Sequence, residues 1–160
     1  MADAFGRAIR DHRRGERADP LLQGDGEETR EHPIEEFYFD AFDPESDAGA
    51  WLASRLDGPL VDLGAGAGRH ALRFQERFET VAVERGPALV EAMRERGVAD
   101  AREGDMFALR ESFGRDRFAS ALAIGTQVGL AGSMRGLSAF LADLAFVTTP
   151  DATAVIDCYD

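Results

Sequence analysis

Lysine is absent from this chain of 160 residues. Its 18 basic residues are therefore all arginine, set against 30 acidic ones, for a formal net charge of −12. A surface of that balance repels itself in dilute solution. At molar salt the Debye length shrinks to about 3 Å and most of the repulsion is screened. The composition implies a halophilic, salt-accumulating cytoplasm. A GC-rich genome, which also favours arginine over lysine, is the alternative explanation. The acidity disfavours a nucleic-acid partner, because a phosphate backbone needs a positive stripe. General acidity of a halophile's proteins softens that exclusion.

Cysteine is nearly absent too. The single Cys158 excludes an internal disulfide and suits a reducing cytoplasm. Histidine and cysteine do not cluster, so no zinc site is expected. No apolar run is long enough to span a membrane, and no membrane partner is expected. The first 20 residues are arginine-rich and lack the apolar stretch of a secretory signal.

What is present suffices for one domain with a real core, at 44% hydrophobic residues. Residues 1–35 read as a charged, partly flexible segment. Within it Phe5, Ala8, Ile9 and His12 predict a short amphipathic helix. Residues 13–32, with few large apolar groups, are expected to be loop or disordered. An aromatic cluster around Phe37, Tyr38 and Phe42 follows. A helix is then expected over 44–56, with Trp51, Leu52 and Leu56 turned inward.

The most informative run is Val61, Asp62, Leu63, Gly64, Ala65, Gly66, Ala67, Gly68. A strand tail over 59–62 leads into glycines at every second position. A helical pattern follows over 69–78, with Ala71, Phe74 and Phe78 on one face. Strand, glycine turn and helix open a doubly wound α/β domain that binds a nucleoside cofactor. Glycine is needed where the chain turns sharply and a ligand touches bare backbone. The dinucleotide fingerprint is G-x-G-x-x-G. Here the third glycine comes one residue early, and Arg69 takes the fingerprint's last position.

Strands and helices alternate from there. A strand over 80–84 ends in Glu84, 20 residues after Gly64. A carboxylate at that place can accept hydrogen bonds from both ribose hydroxyls of a nucleoside. It suits adenosylmethionine or NAD and disfavours NADP, whose 2′-phosphate would meet like charge; a solvated strand-end glutamate is the plain alternative. Pro87 and Gly97 bound a helix. A strand over 99–103 precedes Gly104, Asp105, Met106 and Phe107, and a short helix lies within 107–112. The apolar run 118–126 reads as a central strand covered on both faces. Ser133 caps a helix carrying Leu137, Phe140, Leu141 and Leu144. A last strand is expected over 152–158. Right-handed crossovers give a Rossmann-like parallel sheet of order 3-2-1-4-5.

The pattern D-x-G-x-G-x-G at 62–68, with the later positions in the right order, resembles motif I of class I S-adenosylmethionine-dependent methyltransferases. The resemblance spans roughly residues 36–160 and implies S-adenosyl-L-methionine as cofactor. It places Asp62 near the cofactor's ammonium group, directly or through water. It sets the backbone of Leu63, Gly64, Ala65, Gly66 and Gly68 against the methionine and ribose, with Glu84 and its neighbour Arg85 at the sugar. It implies that Asp105 accepts from the adenine amine and that Met106 packs on the ring; a turn aspartate is the alternative. Gly125 and Thr126 would border the transferable methyl. Thr126 and Gln127 would face the acceptor. Phe37 and Tyr38, in a segment that often folds over the cofactor in this family, are candidate lid residues at the acceptor pocket; simple packing on the domain is the favoured alternative.

The family's nucleic-acid amine methylases carry an Asn/Asp-Pro-Pro-aromatic motif where this chain has Gly125, Thr126, Gln127, Val128, Gly129. That difference counts against methylation of a base amine and leaves the acceptor open; an unidentified small molecule is the expectation. Its nucleophile would attack the sulfonium methyl carbon directly, releasing S-adenosylhomocysteine, with alignment supplying much of the rate. No general base stands out. His70, just past the glycine loop, and Asp157, Tyr159 and Asp160, at the end of the last strand, are candidates.

The family normally adds a further helix and an antiparallel hairpin after the fifth strand, and this sequence lacks both. The last strand is then an exposed apolar edge, which proteins usually protect. That implies an incomplete chain, or an edge covered by a second copy in a homodimer. Two other functions compete. A non-catalytic adenosyl-cofactor-binding module gains from the short C-terminus. An NAD-dependent oxidoreductase loses from the displaced third glycine and the lack of a proton-relay pair.

Overall fold

The computed structural model describes residues 3–17, 19–125 and 127–158. Its centre is a five-stranded sheet built from β3 (Leu60–Leu63), β4 (Thr80–Glu84), β5 (Ala101–Glu103), β6 (Phe118–Ala123) and β7 (Thr148–Ile156), in the order β5-β4-β3-β6-β7. All four pairings are parallel. With strands counted from β3, this is the 3-2-1-4-5 order expected of the Rossmann-like fold. The order follows from right-handed crossovers between successive strands, and the apolar runs from burial of these parallel strands on both faces. Every residue of β3 is buried, and Val61 and Leu63 pair with Val81 and Val83 of β4.

Helices cover both faces. Val61, Leu63, Val81, Val83 and Phe118 pack on one face with Phe140, Leu144 and Val147 of α6 (Met134–Val147) and with Leu109 of α5 (Leu109–Ser112). Leu60 and Leu122 point the other way, onto Phe74 of α3 (Arg69–Phe74) and onto Leu52 and Leu56 at α2 (Asp47–Arg55). Ala82 meets Val90 and Met93 of α4 (Pro87–Arg96) on that second face. Ser133 caps α6 as the sequence implies, its hydroxyl accepting from Gly136 N–H at 3.0 Å.

Several expectations change. Trp51 is 52% exposed, not inward. The inward stripe of α2 is set by Leu52 and by Leu56 just past its end, four residues apart, and Trp51 falls to the side, under the Arg55 guanidinium at 5.5 Å. Leu141 is likewise 45% exposed, because Phe140, Leu144 and Val147 take the buried stripe of α6. The helix after the glycine loop ends at Phe74, though Phe78 still stacks on Phe74 with ring centres 5.9 Å apart. The last strand begins at Thr148, earlier than its apolar residues indicate.

The N-terminal segment is more ordered than its composition implies. Helix α1 (Ala4–Arg13) is capped by Asp3, and its Ile9 is fully buried against Ile34 and Leu89. Arg10 pairs with Glu91 at 3.0 Å and Arg14 with Glu95, which seats α1 along α4. Within the stretch expected to be loop, β1 (Leu22–Asp25) and β2 (Glu28–Glu31) form an antiparallel hairpin. Gly26, at φ 61, takes the first position of its two-residue turn. The residues of β2 are all exposed, so no apolar alternation marks it in sequence. Beyond it Glu35–Phe39 makes one wide helical turn, closed by Asp40 N–H donating to the Glu35 carbonyl at 2.9 Å. Among the described residues, no helix is long and apolar enough to cross a membrane, and no group of His, Cys, Asp and Glu is arranged to hold a metal ion.

Candidate functional site

The parallel sheet brings the ends of β3, β4, β5 and β6 to one edge, and the loops that leave them form the site. The chain leaves β3 through Gly64, Gly66 and Gly68, at φ 66, 58 and 81. The N–H groups of Gly64 and Ala65 both donate to the Val83 carbonyl, at 2.9 and 3.1 Å, tying the loop to β4. The glycines serve different ends. A Cβ on Gly68 would sit 2.7 Å from Val98 and 3.0 Å from Met93, so that glycine lets the start of α3 approach the end of α4. A Cβ on Gly66 would meet only the Tyr38 ring, at 3.5 Å. Leu63 is fully buried, its side chain in the core.

Beside this loop is a cavity of about 250 Å³. Gly64, Val83, Glu84 and Arg85 form one wall; Gly104, Asp105, Met106 and Phe107 form another; Gln127 and Leu130 close it. Six residues singled out from sequence therefore meet in one place: Gly64, Glu84, Arg85, Asp105, Met106 and Gln127. Asp62, Leu63, Ala65, Gly66, Gly68, Gly125 and Tyr38 are not among its lining. Thr126, Tyr159 and Asp160 lie outside the described residues. Phe107 and Leu130 were not among the predicted site residues. Phe107 follows the Gly-Asp-Met signal directly and could have been included, whereas Leu130 lies in a short turn (Gln127–Ala131) with no motif.

Glu84 is more than a strand end. Its Oε2 accepts from Gly66 N–H at 3.0 Å and its Oε1 from Gly86 N–H at 2.9 Å. The carboxylate thus braces the glycine loop and the following turn at once, with lone pairs left for a ligand. Asp105 uses Oδ1 to accept from Phe107 N–H at 2.8 Å, the behaviour of a turn aspartate. Met106 is buried below it.

Asp62 is 2% exposed. Burial pushes its carboxyl up to about 7, against a hydrogen bond from Ala71 N–H that favours the charged form, while Glu84 adds to the rise. Its Oδ2 is buried without a hydrogen-bond partner. Between the ordinary carboxyl range and about 7, the folded protein holds a proton that the unfolded chain releases, so stability falls as pH rises through that window. Asp62→Asn does not titrate, and its stability relative to wild type is expected to improve steadily from pH 4 to pH 7. Urea midpoints across that range check this; identical pH slopes for both proteins would contradict it.

Burial of the Tyr38 phenol, with the nearby Glu84 charge, pushes it up to about 12. His70 is pushed down to about 4, by burial first and by Arg69, against the pull of Asp157, and its ring meets Phe42 edge-on at 5.5 Å. At neutral pH it is an uncharged imidazole and a weak base. Asp157 Oδ2 accepts from Gly125 N–H at 2.9 Å, joining the end of β7 to that of β6. The Gln127 side chain lies over Gly64, where an added Cβ would be 2.6 Å from it, and its Nε2 donates to the Gly125 carbonyl at 3.3 Å.

No protein-family model and no curated protein matches the chain. Solved structures do. A SAM-dependent methyltransferase from Bacteroides fragilis, in complex with S-adenosyl-L-homocysteine, is similar at a TM-score of 0.81 and 28% identity, over 99% of this chain and 65% of that one. Streptomyces venezuelae DesVI shares the fold at a TM-score of 0.56 and 24% identity, over 62% of this chain and 42% of its own. CalS10, an amino pentose methyltransferase from Micromonospora echinaspora in a SAM-bound structure, has the same TM-score and identity, over 63% of this chain and 42% of its own. The chain thus spans less than two thirds of the length of each of these proteins.

Proposed function

We propose, from the premise that the chain belongs to the class I S-adenosylmethionine-dependent methyltransferases, that it binds S-adenosylmethionine in the cavity beside the glycine loop and methylates a small-molecule acceptor. The single observation that carries this reading is the convergence of Glu84, Asp105 and Met106 on one cavity next to the Gly64 backbone.

The residues fit the cofactor chemically. Glu84 keeps lone pairs for a ribose diol. The Asp105 Oδ2 suits an exocyclic amine, and Met106 offers an apolar surface for a purine. The unpartnered Oδ2 of Asp62 suits an ammonium group, which would draw the carboxyl back toward its ionised form. When bound, S-adenosylmethionine supplies an electrophilic methyl group on a sulfonium. The chain's own part is to hold that group and the acceptor in line and to exclude water. Gly125 and Thr126 are proposed to border the methyl, with Gln127 and Tyr38 toward the acceptor. His70, held near 4, is too weak a base to draw a proton from a hydroxyl at neutral pH, so it carries no step here.

Calorimetry with S-adenosylhomocysteine, S-adenosylmethionine and NAD tests the reading. Binding of the two adenosyl compounds and not of NAD is expected. Preference for NAD would overturn it, and binding without methyl transfer to any of a broad acceptor panel would favour a non-catalytic module. We further propose a halophilic cytoplasm as the setting. The melting temperature is expected to rise by several degrees from dilute buffer to molar KCl, as screening relieves the excess of negative charge. No gain with salt would remove that proposal.

A further inference from the structure

Arg96, the last residue of α4, takes no part in the cavity, yet it reaches two separate stretches of chain beside it. Its Nη1 donates to the Tyr38 carbonyl at 2.8 Å and to the Ala67 carbonyl at 2.7 Å. Its Nη2 donates to the Phe39 carbonyl at 3.3 Å, and the guanidinium lies 5.2 Å from the centre of the Phe39 ring. Ala67 belongs to the glycine loop, and Tyr38 and Phe39 to the wide turn at Glu35–Phe39. Among the described residues this guanidinium has no carboxylate in ion-pair range. A half-buried cation spent on three main-chain carbonyls calls for the planar fork of arginine, since an ammonium on a shorter stem does not span them together.

The other bonds that seat the N-terminal segment lie elsewhere. Arg10 and Arg14 join α1 to Glu91 and Glu95, and His12 pairs with Glu35 at 3.1 Å. None of them touches the glycine loop. Arg96 alone, of these contacts, ties the segment to that loop. The consequence is local: the Tyr38 ring lies against Gly66, whose N–H is held by Glu84.

We infer that Arg96 is a positioning residue for the cofactor site, latching the Glu35–Phe39 turn to the glycine loop so that Tyr38 closes over Gly66. The inference rests on the cofactor reading above. It makes the order of the N-terminal segment and the affinity for the adenosyl ligand two sides of one equilibrium, because a ligand that binds better when the segment is closed favours closure by the same factor that closure favours the ligand.

The test uses the whole chain, with S-adenosylhomocysteine as probe in calorimetry and thermal melts to confirm folding. Arg96→Gln is expected to weaken binding about tenfold, as for the loss of charged hydrogen bonds, with Arg96→Lys between it and wild type. In a Tyr38→Ala background, Arg96→Gln is expected to change affinity by less than about twofold, because residues that act through one another are not additive. A merely structural role would give the same loss in both backgrounds, and that result overturns the inference. So does wild-type affinity in Arg96→Gln or, should that variant fail to fold, in Arg96→Lys. Trypsin is expected to cut faster within residues 13–30 in the folded variants, and unchanged cutting also overturns the latch. If the wild-type protein itself binds no S-adenosylhomocysteine, the cofactor reading falls, while the digestion still reports whether Arg96 holds the segment.

Discussion

Gly66→Val is expected to abolish measurable binding of S-adenosylhomocysteine while the sheet stays folded. Gly66 sits at φ 58, a left-handed conformation that a β-branched residue adopts only under strain. The Cβ alone would stand 3.5 Å from the Tyr38 ring, an ordinary contact, but the two methyls beyond it have to push that ring or the loop aside. Either movement breaks the bond from Gly66 N–H to Glu84 at 3.0 Å and so disturbs the carboxylate on the cavity wall. Gly66→Ala separates the two causes. It carries the backbone strain, about 1–2 kcal/mol, without the crowding, and is expected to bind roughly tenfold more weakly than wild type. Calorimetry gives the affinities and circular dichroism the fold. A valine variant with wild-type affinity would show that the ligand does not depend on this turn.

Replacing Glu84 is expected to have the next largest effect. Its two oxygens already serve two main-chain donors, Gly66 and Gly86, so removing it costs more than a ribose contact. Glu84→Ala leaves both N–H groups without their partner and takes away the acceptor proposed for the sugar. With charged hydrogen bonds worth about 1.5–3 kcal/mol each, a loss of affinity on the order of a hundredfold is expected. Glu84→Gln is the sharper probe. An amide has one acceptor oxygen, and whichever way it is turned its NH₂ faces one of the two N–H donors. Glutamine is therefore expected to fall well short of glutamate despite its shape. Equal affinities for glutamate, glutamine and alanine would remove Glu84 from the ligand site and leave it as a loop brace alone.

The same residue marks the limit of reading from sequence. Its type and spacing placed it at the second strand's end, and it does line the cavity. Its bonds to Gly66 and Gly86 were not legible, because they depend on how two loops fold back from neighbouring strands. Asp62 divides in the same way. Its place in the D-x-G-x-G-x-G pattern was plain, but its burial and its bond from Ala71 come from the packing of α3 on the sheet. The hairpin of β1 and β2 leaves no signal in the sequence because exposed strands need no apolar alternation, and the exposure of Trp51 is not legible because helical periodicity alone admits more than one inward stripe.

By itself the sequence determined the sheet, its strand order and the glycine turn. These rest on apolar runs that must be buried on both faces, on the hand of the crossovers between them, and on a loop whose alternate positions take the positive φ that favours glycine. Only the tertiary structure decided that the N-terminal segment reaches the loop, that Tyr38 covers Gly66, and that Arg96 joins the two from 29 residues beyond Ala67. Such contacts are made between residues far apart in the chain, by main-chain carbonyls common to every residue. Their partners leave no mark in the order of amino acids and emerge only when the helices are packed.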